Sequence, residues 1–198
     1  MFAASILVNM AVKPAEFDPE EPVVEAVREG DRFAFAELVR RHEQWVRGVI
    51  FGVLGDPDRT EEVSQQAWLV FWQRIGELRD VKRWRPWLYR LARNAALDAG
   101  RQRSRQKRNT LQWKQEAMSS PGPESAETSL DRSERHAEVL NAIRSLPALY
   151  REPFVLRHVD GWSYRQIAEV MDMPVDSVET RLVRARRLLR ECLQEKLD

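Results

Sequence analysis

Apolar residues recur three or four positions apart along most of the chain, which is the spacing that buries one face of an α-helix. The longest such run covers residues 32–53, with Asp31 in position to cap its start and Gly55 in position to end it. The same pattern predicts seven further helices, around residues 23–28, 59–75, 86–95, 137–146, 149–158, 163–171 and 175–190. No run alternates between apolar and polar residues as strands do. The pattern therefore predicts an all-α protein.

A segment poor in apolar side chains divides these helices into two groups. Residues 116–129 contain Ser, Pro, Gly and Glu but almost no bulky apolar group, so they cannot offset the entropy lost on ordering. We expect two small helical domains, residues 22–113 and 132–198, joined by a flexible linker over residues 114–131. Residues 1–21 begin with an apolar stretch too short to span a bilayer, and we expect a disordered tail there. A translation start at either Met1 or Met10 stays open.

Charge is unevenly distributed, although the formal net charge is only +1. Residues 15–31 carry seven acidic side chains and one basic, residues 82–108 carry ten basic and one acidic, and residues 181–190 carry five arginines and no acid. Two separate basic segments indicate two contacts with a polyanion. Cys192 is the single cysteine, so no internal disulfide can form and the chain is typical of the reducing cytoplasm.

The segment from residue 163 to residue 190 has the pattern of a helix-turn-helix. Ser163 and Gln166 form a capping box, Ala168 is small enough for close helix packing, and residues 172–174 form a tight turn. In this motif the second helix enters the DNA major groove. The side chains predicted to face the DNA there are Ser177, Thr180, Arg181 and Arg184, near the leading half of the helix, and Arg187, further along and closer to the phosphates.

Residues 146–193 resemble the fourth conserved region of sigma-70 family factors, and residues 55–75 and 84–105 resemble the second. The resemblance extends over roughly residues 30–108 and 132–193, in the family's order, and the small two-domain form is typical of the extracytoplasmic-function group. It implies a cytoplasmic, non-enzymatic subunit that gives RNA polymerase its promoter specificity and needs no cofactor or metal. Core RNA polymerase and promoter DNA are the implied partners, and an anti-sigma factor is a further candidate.

The resemblance also assigns binding residues. The helix around residues 59–75 would bind core polymerase through Glu61, Glu62, Gln65 and Gln66. Recognition and melting of the minus-ten element would fall to Lys82, Arg83, Trp84, Arg85, Arg90, Arg93 and Asn94. Among these we expect Trp84, which precedes the apolar stripe, to expose its ring for stacking on an unpaired base.

The chain departs from the family pattern at three positions. Asp172 stands where glycine is common in the turn, and aspartate tolerates the left-handed backbone required there. Glu179 stands where a basic residue is frequent, so the family's base preferences do not transfer directly. Gln66 replaces a usual glutamate, which weakens one expected ionic contact with polymerase.

Two other functions are compatible with parts of the sequence. Asp56, Asp58, Glu61 and Glu62 could hold magnesium for nucleic-acid cleavage, but acidic residues are also expected at a helix start, and the three histidines are scattered. A stand-alone helix-turn-helix regulator would explain residues 163–190. It would leave the match to the second sigma region unexplained.

Overall fold

The structure, a computed structural model, consists of eight α-helices and two short 3₁₀ turns over the residues it describes, 20–114, 132–158 and 161–194. The predicted linker from residue 115 onward and the tail up to residue 19 lie outside these residues. The helices are α1 Glu21–Arg28, α2 Arg32–Leu54, α3 Pro57–Arg74, α4 Trp84–Lys114, α5 Arg132–Ser145, α6 Ala148–His158, α7 Tyr164–Met171 and α8 Val175–Gln194. The 3₁₀ turns, Ile75–Glu77 and Val81–Arg83, connect α3 to α4.

The predicted ends of α2 and the predicted caps of α7 are confirmed. Asp31 accepts hydrogen bonds from two backbone N–H groups of the first turn of α2, and Gly55 ends that helix in the left-handed conformation at φ 63°. Ser163 and Gln166 bond reciprocally at the start of α7, at 3.3 and 2.7 Å. Asp172 adopts the expected left-handed backbone, with φ 52°. Local hydrogen bonding therefore sets these boundaries.

Helices α1 to α4 form the first bundle, in which α2, α3 and α4 pack against one another and α1 packs on α2. Its interior is mainly apolar. The side chains at its centre include Val24, Leu38, Val46, Ile50, Val63, Phe71, Leu88 and Ala92. Glu20, assigned to the disordered tail by the sequence, is instead buried against this bundle, and Glu21 already begins α1.

Helices α5 to α8 form the second bundle, whose last two helices are the predicted helix-turn-helix. Ile167 of α7 and Val178 and Leu182 of α8 are completely buried, and α6 packs on both helices. In the described residues no helix is long and apolar enough to cross a membrane.

The two bundles pack directly on each other, a contact that the sequence pattern does not predict. Helix α6 lies along α2, and α7 contacts α4. The indole rings of Trp45 and Trp162 meet across the boundary with centroids 5.3 Å apart. A continuous cluster of buried apolar side chains extends from one bundle into the other. The bundles therefore share an interface in addition to their separate cores.

Candidate polymerase and nucleic-acid interfaces

The predicted polymerase-binding residues form a polar surface on α3. Glu61, Glu62, Gln65 and Gln66 are all exposed. The Glu61 carboxylate pairs with Arg47 at 2.8 Å, and the Gln66 amide donates to Glu62 at 3.4 Å. The opposite face of α3 is buried, so the helix is held firmly while this surface, the α3 polar face, stays open to a partner.

An apolar groove of about 510 Å³ lies beside the α3 polar face, between α2 and α3. Phe35, Val39, Leu69 and Trp72 line it, and the Leu69 side chain is exposed. Trp68 is only 5% exposed and packs edge-on against Phe35. Of the two tryptophans on α3, Trp72 is therefore the more accessible.

Some of the predicted minus-ten residues are exposed, and the others contact residues within the protein. Lys82, Arg83, Arg90 and Asn94 are exposed on the 3₁₀ turn before α4 and on its first turns. Ammonium and guanidinium groups can track phosphates. Lys82, Arg83 and Arg90, together with the neutral amide of Asn94, are therefore named the cationic edge.

The expectation that Trp84 exposes its ring is wrong. Trp84 is 2% exposed, and its ring packs edge-on against His42 with centroids 4.9 Å apart. Helix α4 begins at Trp84, two residues before Pro86. Trp84 therefore shares the inward face of α4 with Leu88 and Ala92, four and eight residues later.

Arg85 is also engaged within the protein. Its guanidinium lies over the Trp84 ring, 4.8 Å from the centroid, and pairs with Glu20 at 3.4 Å. Burial of Glu20 raises its pKa, but the hydrogen bond from His42 and the charges of His42, Arg85 and Arg41 outweigh burial, so the pKa of Glu20 is lowered overall. Arg85 thus anchors the start of α1 to α4.

Arg93 is paired across the bundle boundary. Its guanidinium donates to the Glu152 carboxylate of α6 at 2.9 Å, and the Tyr89 hydroxyl donates to the same carboxylate at 3.0 Å. Glu152 is 4% exposed. Burial and the neighbouring Glu152 charge raise the pKa of Tyr89, so its phenol stays protonated. Sequence reasoning did not identify Glu152 as a functional residue.

Arg151, the neighbour of Glu152, is a second buried charge that sequence reasoning missed. It donates to the backbone carbonyls of Gly52 and Val53 on α2, at 2.8 and 2.9 Å. It also donates to the carbonyls of Arg144 and Leu146, at 2.6 and 3.2 Å. One guanidinium therefore satisfies unpaired carbonyls at the ends of two helices and joins the two bundles.

The DNA-facing residues predicted on α8 lie mostly on its outer surface. Thr180, Arg184 and Arg187 are exposed, and Ser177 and Arg181 are partly buried. The Thr180 hydroxyl donates to the backbone carbonyl of Asp176 at 2.8 Å, and Arg187 pairs with Glu191 at 3.4 Å. Val178, Leu182 and Ala185 occupy the inward face.

The acidic residues at the start of α3 serve local structure. Asp56 accepts the backbone N–H of Asp58 at 3.2 Å and pairs with Arg103 at 2.6 Å. Glu61 pairs with Arg47. Across residues 20–114, 132–158 and 161–194, no group of three or more His, Cys, Asp or Glu side chains is placed to hold a metal ion.

Comparison with known proteins identifies the family. The model of sigma-70 region 2 matches residues 38–106, and that of sigma-70 region 4 matches residues 136–189. The sigma-H factor of Pseudomonas aeruginosa is 31% identical over 186 residues, which cover 91% of this chain and 96% of that protein. The chain belongs to the extracytoplasmic-function sigma factors of the sigma-70 family.

Further relatives agree with this. The extracytoplasmic-function sigma-E factor of Escherichia coli is 30% identical over 178 residues, which cover 86% of this chain and 92% of that protein. Among solved structures, CnrH in complex with the cytosolic domain of CnrY shares the fold, with a TM-score of 0.65 and 23% identity over 90% of this chain and 99% of that one. RpoE in complex with the anti-sigma factor NepR from Bartonella quintana has a TM-score of 0.57 and 22% identity, covering 81% and 96%.

In this sigma factor, basic side chains from both conserved regions line one cleft of about 680 Å³ between the bundles. Arg83, Arg90 and Arg93 of region 2 lie on one side and Arg181 of region 4 on the other, with Glu152 among them. Separate stretches of sequence predicted these arginines to contact DNA. Only the structure brings them together.

Proposed function

We propose that this sigma factor binds core RNA polymerase through the α3 polar face. The observation that supports this is the joint exposure of Glu61, Glu62, Gln65 and Gln66 on a helix whose opposite side is buried. Carboxylates and amides on a rigid helix can accept and donate hydrogen bonds to a polar partner without the cost of ordering the backbone. The exposed Leu69 beside them adds apolar contact area.

We propose further that the exposed cationic edge of region 2 captures the melted minus-ten element. Lys82, Arg83, Arg90 and Asn94 supply the contacts, and Arg93 joins them when it is released from Glu152. Trp84 is not part of this surface, because its ring is buried. Stacking of unpaired bases must therefore fall to other groups, and guanidinium planes are suited to it.

Region 4 is proposed to bind the minus-thirty-five element in duplex form. Ser177, Thr180, Arg181 and Arg184 would reach base edges from the leading half of α8, and Arg187 would contact a phosphate. The firm packing of the inward face of α8 supports this role, because a recognition helix must present its outer side chains in fixed positions.

We infer that the protein has no catalytic activity of its own, acts in the cytoplasm and is regulated by an anti-sigma factor. The lone Cys192 is consistent with a reducing compartment. RpoE, which shares the fold, was solved with the anti-sigma factor NepR. The alternative of a stand-alone helix-turn-helix regulator predicts no association with core polymerase.

Co-elution with core polymerase tests the proposal. Reversal of charge by Glu62→Lys together with Gln65→Lys should abolish co-elution in size-exclusion chromatography and leave helicity unchanged. Glu29→Lys repeats the charge reversal of Glu62→Lys at the exposed end of α1 and should co-elute normally. Undiminished co-elution of the double variant would show that polymerase binds elsewhere, and no co-elution of the unchanged protein would favour the stand-alone regulator.

A further inference from the structure

Glu179 is an exposed carboxylate on the leading half of α8, the helix proposed to enter the major groove. The part of α8 that follows it, residues 181–190, carries five arginines and no acid. A carboxylate held close to DNA is repelled by the phosphates that attract these arginines. It favours binding only where it faces a hydrogen-bond donor on the edge of a base.

Stabilisation of the helix itself does not account for Glu179. Acidic side chains stabilise the first turn of a helix, where α8 already has Asp176, and the effect falls off beyond that turn. The four residues at ion-pair spacing from Glu179 along α8 are one acid and three apolar residues: Asp176, Leu182, Val175 and Val183. Glu191, by contrast, pairs with Arg187, four residues before it, at 3.4 Å. The Glu179 carboxylate is therefore available to a partner outside the helix.

Two exposed valines flank Glu179 on the surface of α8. Val175 lies four residues before it and Val183 four residues after it, and they are 39% and 52% exposed. Residues four apart lie on the same face of a helix, so the carboxylate stands between two apolar side chains, one turn away on either side. Where these side chains meet a base pair they exclude water, and a hydrogen bond to the carboxylate becomes stronger.

The edges of the bases decide which one fits this carboxylate. The major groove offers two amino donors, N4 of cytosine and N6 of adenine. Adenine places its N7 acceptor beside the amino group, and that acceptor repels a carboxylate. Guanine presents the acceptors O6 and N7, and thymine presents the acceptor O4. Cytosine alone presents an amino donor without an acceptor beside it, so it is the base that fits best.

We propose that Glu179 is a specificity-determining residue of this sigma factor, whose carboxylate accepts a hydrogen bond from the N4 amino group of one cytosine in the minus-thirty-five element. Val175 and Val183 pack on the base edges beside it. This inference rests on the proposed binding of region 4 to that element and deepens it. A basic residue, which is frequent at this position in the family, would favour guanine instead.

A promoter library that is randomised across the minus-thirty-five element tests the proposal. Holoenzyme reconstituted from the full chain and core polymerase transcribes the library, and sequencing of the transcripts gives the base preference at each position. Glu179→Ala should reduce the preference for cytosine at one position by about fivefold, the lower end of the range for a specific base contact. Glu179→Arg should change that preference to guanine. Both substitutions place a good helix former at an exposed position, so α8 should fold in each variant.

Glu191→Ala is the matched control, because it removes the same charge from an exposed position further along α8. It should leave the base preference at every position unchanged. A second measurement replaces the selected cytosine with N4-methylcytosine, whose methyl group takes the place of the amino hydrogen that points into the major groove. This replacement should weaken transcription about fivefold with the unchanged protein and less than about twofold with Glu179→Ala.

The inference is refuted if Glu179→Ala alters transcription equally for all sequences, as loss of a repulsive charge would, or if the selected base is adenine. Equal sensitivity of the unchanged protein and Glu179→Ala to N4-methylcytosine would also overturn it. Arg184→Ala separates this failure from failure of the proposed function. A changed base preference in Arg184→Ala with none in Glu179→Ala would remove only the role of Glu179, whereas no changed preference in either variant would also remove the proposed role of region 4.

Discussion

Replacement of Arg151 by alanine should be among the most destabilising single changes in this protein. The side chain is 7% exposed, and its guanidinium donates to four backbone carbonyls. Alanine fills neither the space nor the hydrogen-bonding role. The carbonyls of Gly52, Val53, Arg144 and Leu146 would then lose this donor at the ends of α2 and α5.

The size of the effect follows from these contacts. A hydrogen bond from a charged donor contributes about 1.5 to 3 kcal/mol net. The four bonds share one guanidinium and are not additive, and water can reach some of the carbonyls once the side chain is gone. We therefore expect a loss of about 3 to 5 kcal/mol, similar to breaking a buried ion pair. That is a large part of the ~5 to 15 kcal/mol that stabilises a typical domain.

Urea unfolding followed by circular dichroism measures this loss. Arg151→Lys keeps the charge but not the planar guanidinium, so its free energy of unfolding should lie between those of the unchanged protein and Arg151→Ala. Arg165→Ala, which removes an exposed arginine on α7, should change stability by less than about 0.5 kcal/mol. If the free energies of unfolding of Arg151→Ala and Arg165→Ala agree within about 1 kcal/mol, the assigned role of Arg151 is refuted.

Two further predictions concern DNA recognition and pH. Arg184→Ala should reduce base discrimination at one or two minus-thirty-five positions by about 1 to 3 kcal/mol, whereas Arg190→Ala should weaken binding to all promoter sequences alike. Transcription from a promoter library distinguishes the two variants. Equal effects of both variants on every sequence would contradict the assignment of Arg184 to a base and Arg190 to a phosphate. Because the pKa of Glu20 is lowered in the folded protein, its carboxylate stabilises the folded state at pH values above the ordinary pKa of 4.5. This stabilisation is lost as pH falls. The stability difference between the unchanged protein and Glu20→Gln should therefore narrow below about pH 4.5 in urea unfolding, and a constant difference would refute it.

The helices and their ends could be predicted because the interactions that set them are local. Asp31 caps backbone groups two and three residues away, and the Ser163–Gln166 pair spans three residues. The turn at Asp172 could be predicted because aspartate itself tolerates the left-handed backbone conformation. In each case the partners lie within one helical turn, so the printed sequence already contains the whole interaction.

Trp84 was misjudged because the start of its helix was placed two residues too late. Counted from Pro86, the apolar stripe begins at Trp87, and Trp84 falls in a loop. Counted from the true start of α4, Trp84, Leu88 and Ala92 are spaced four residues apart on one face. The Asp80 cap of the preceding 3₁₀ turn is the local signal that would have corrected the boundary.

The contact between the bundles could not be predicted from local sequence, because the residues that form it are far apart along the chain and several contribute backbone atoms. Arg151 reaches Gly52, 99 residues away, and Glu152 reaches Arg93, 59 residues away. One signal was nevertheless present: both charges sit between Ala148 and Val155, where the helical repeat calls for buried residues. A buried charge must find a partner. The donors that Glu152 meets lie in region 2, so the buried carboxylate itself implies a closed state in which the two regions touch.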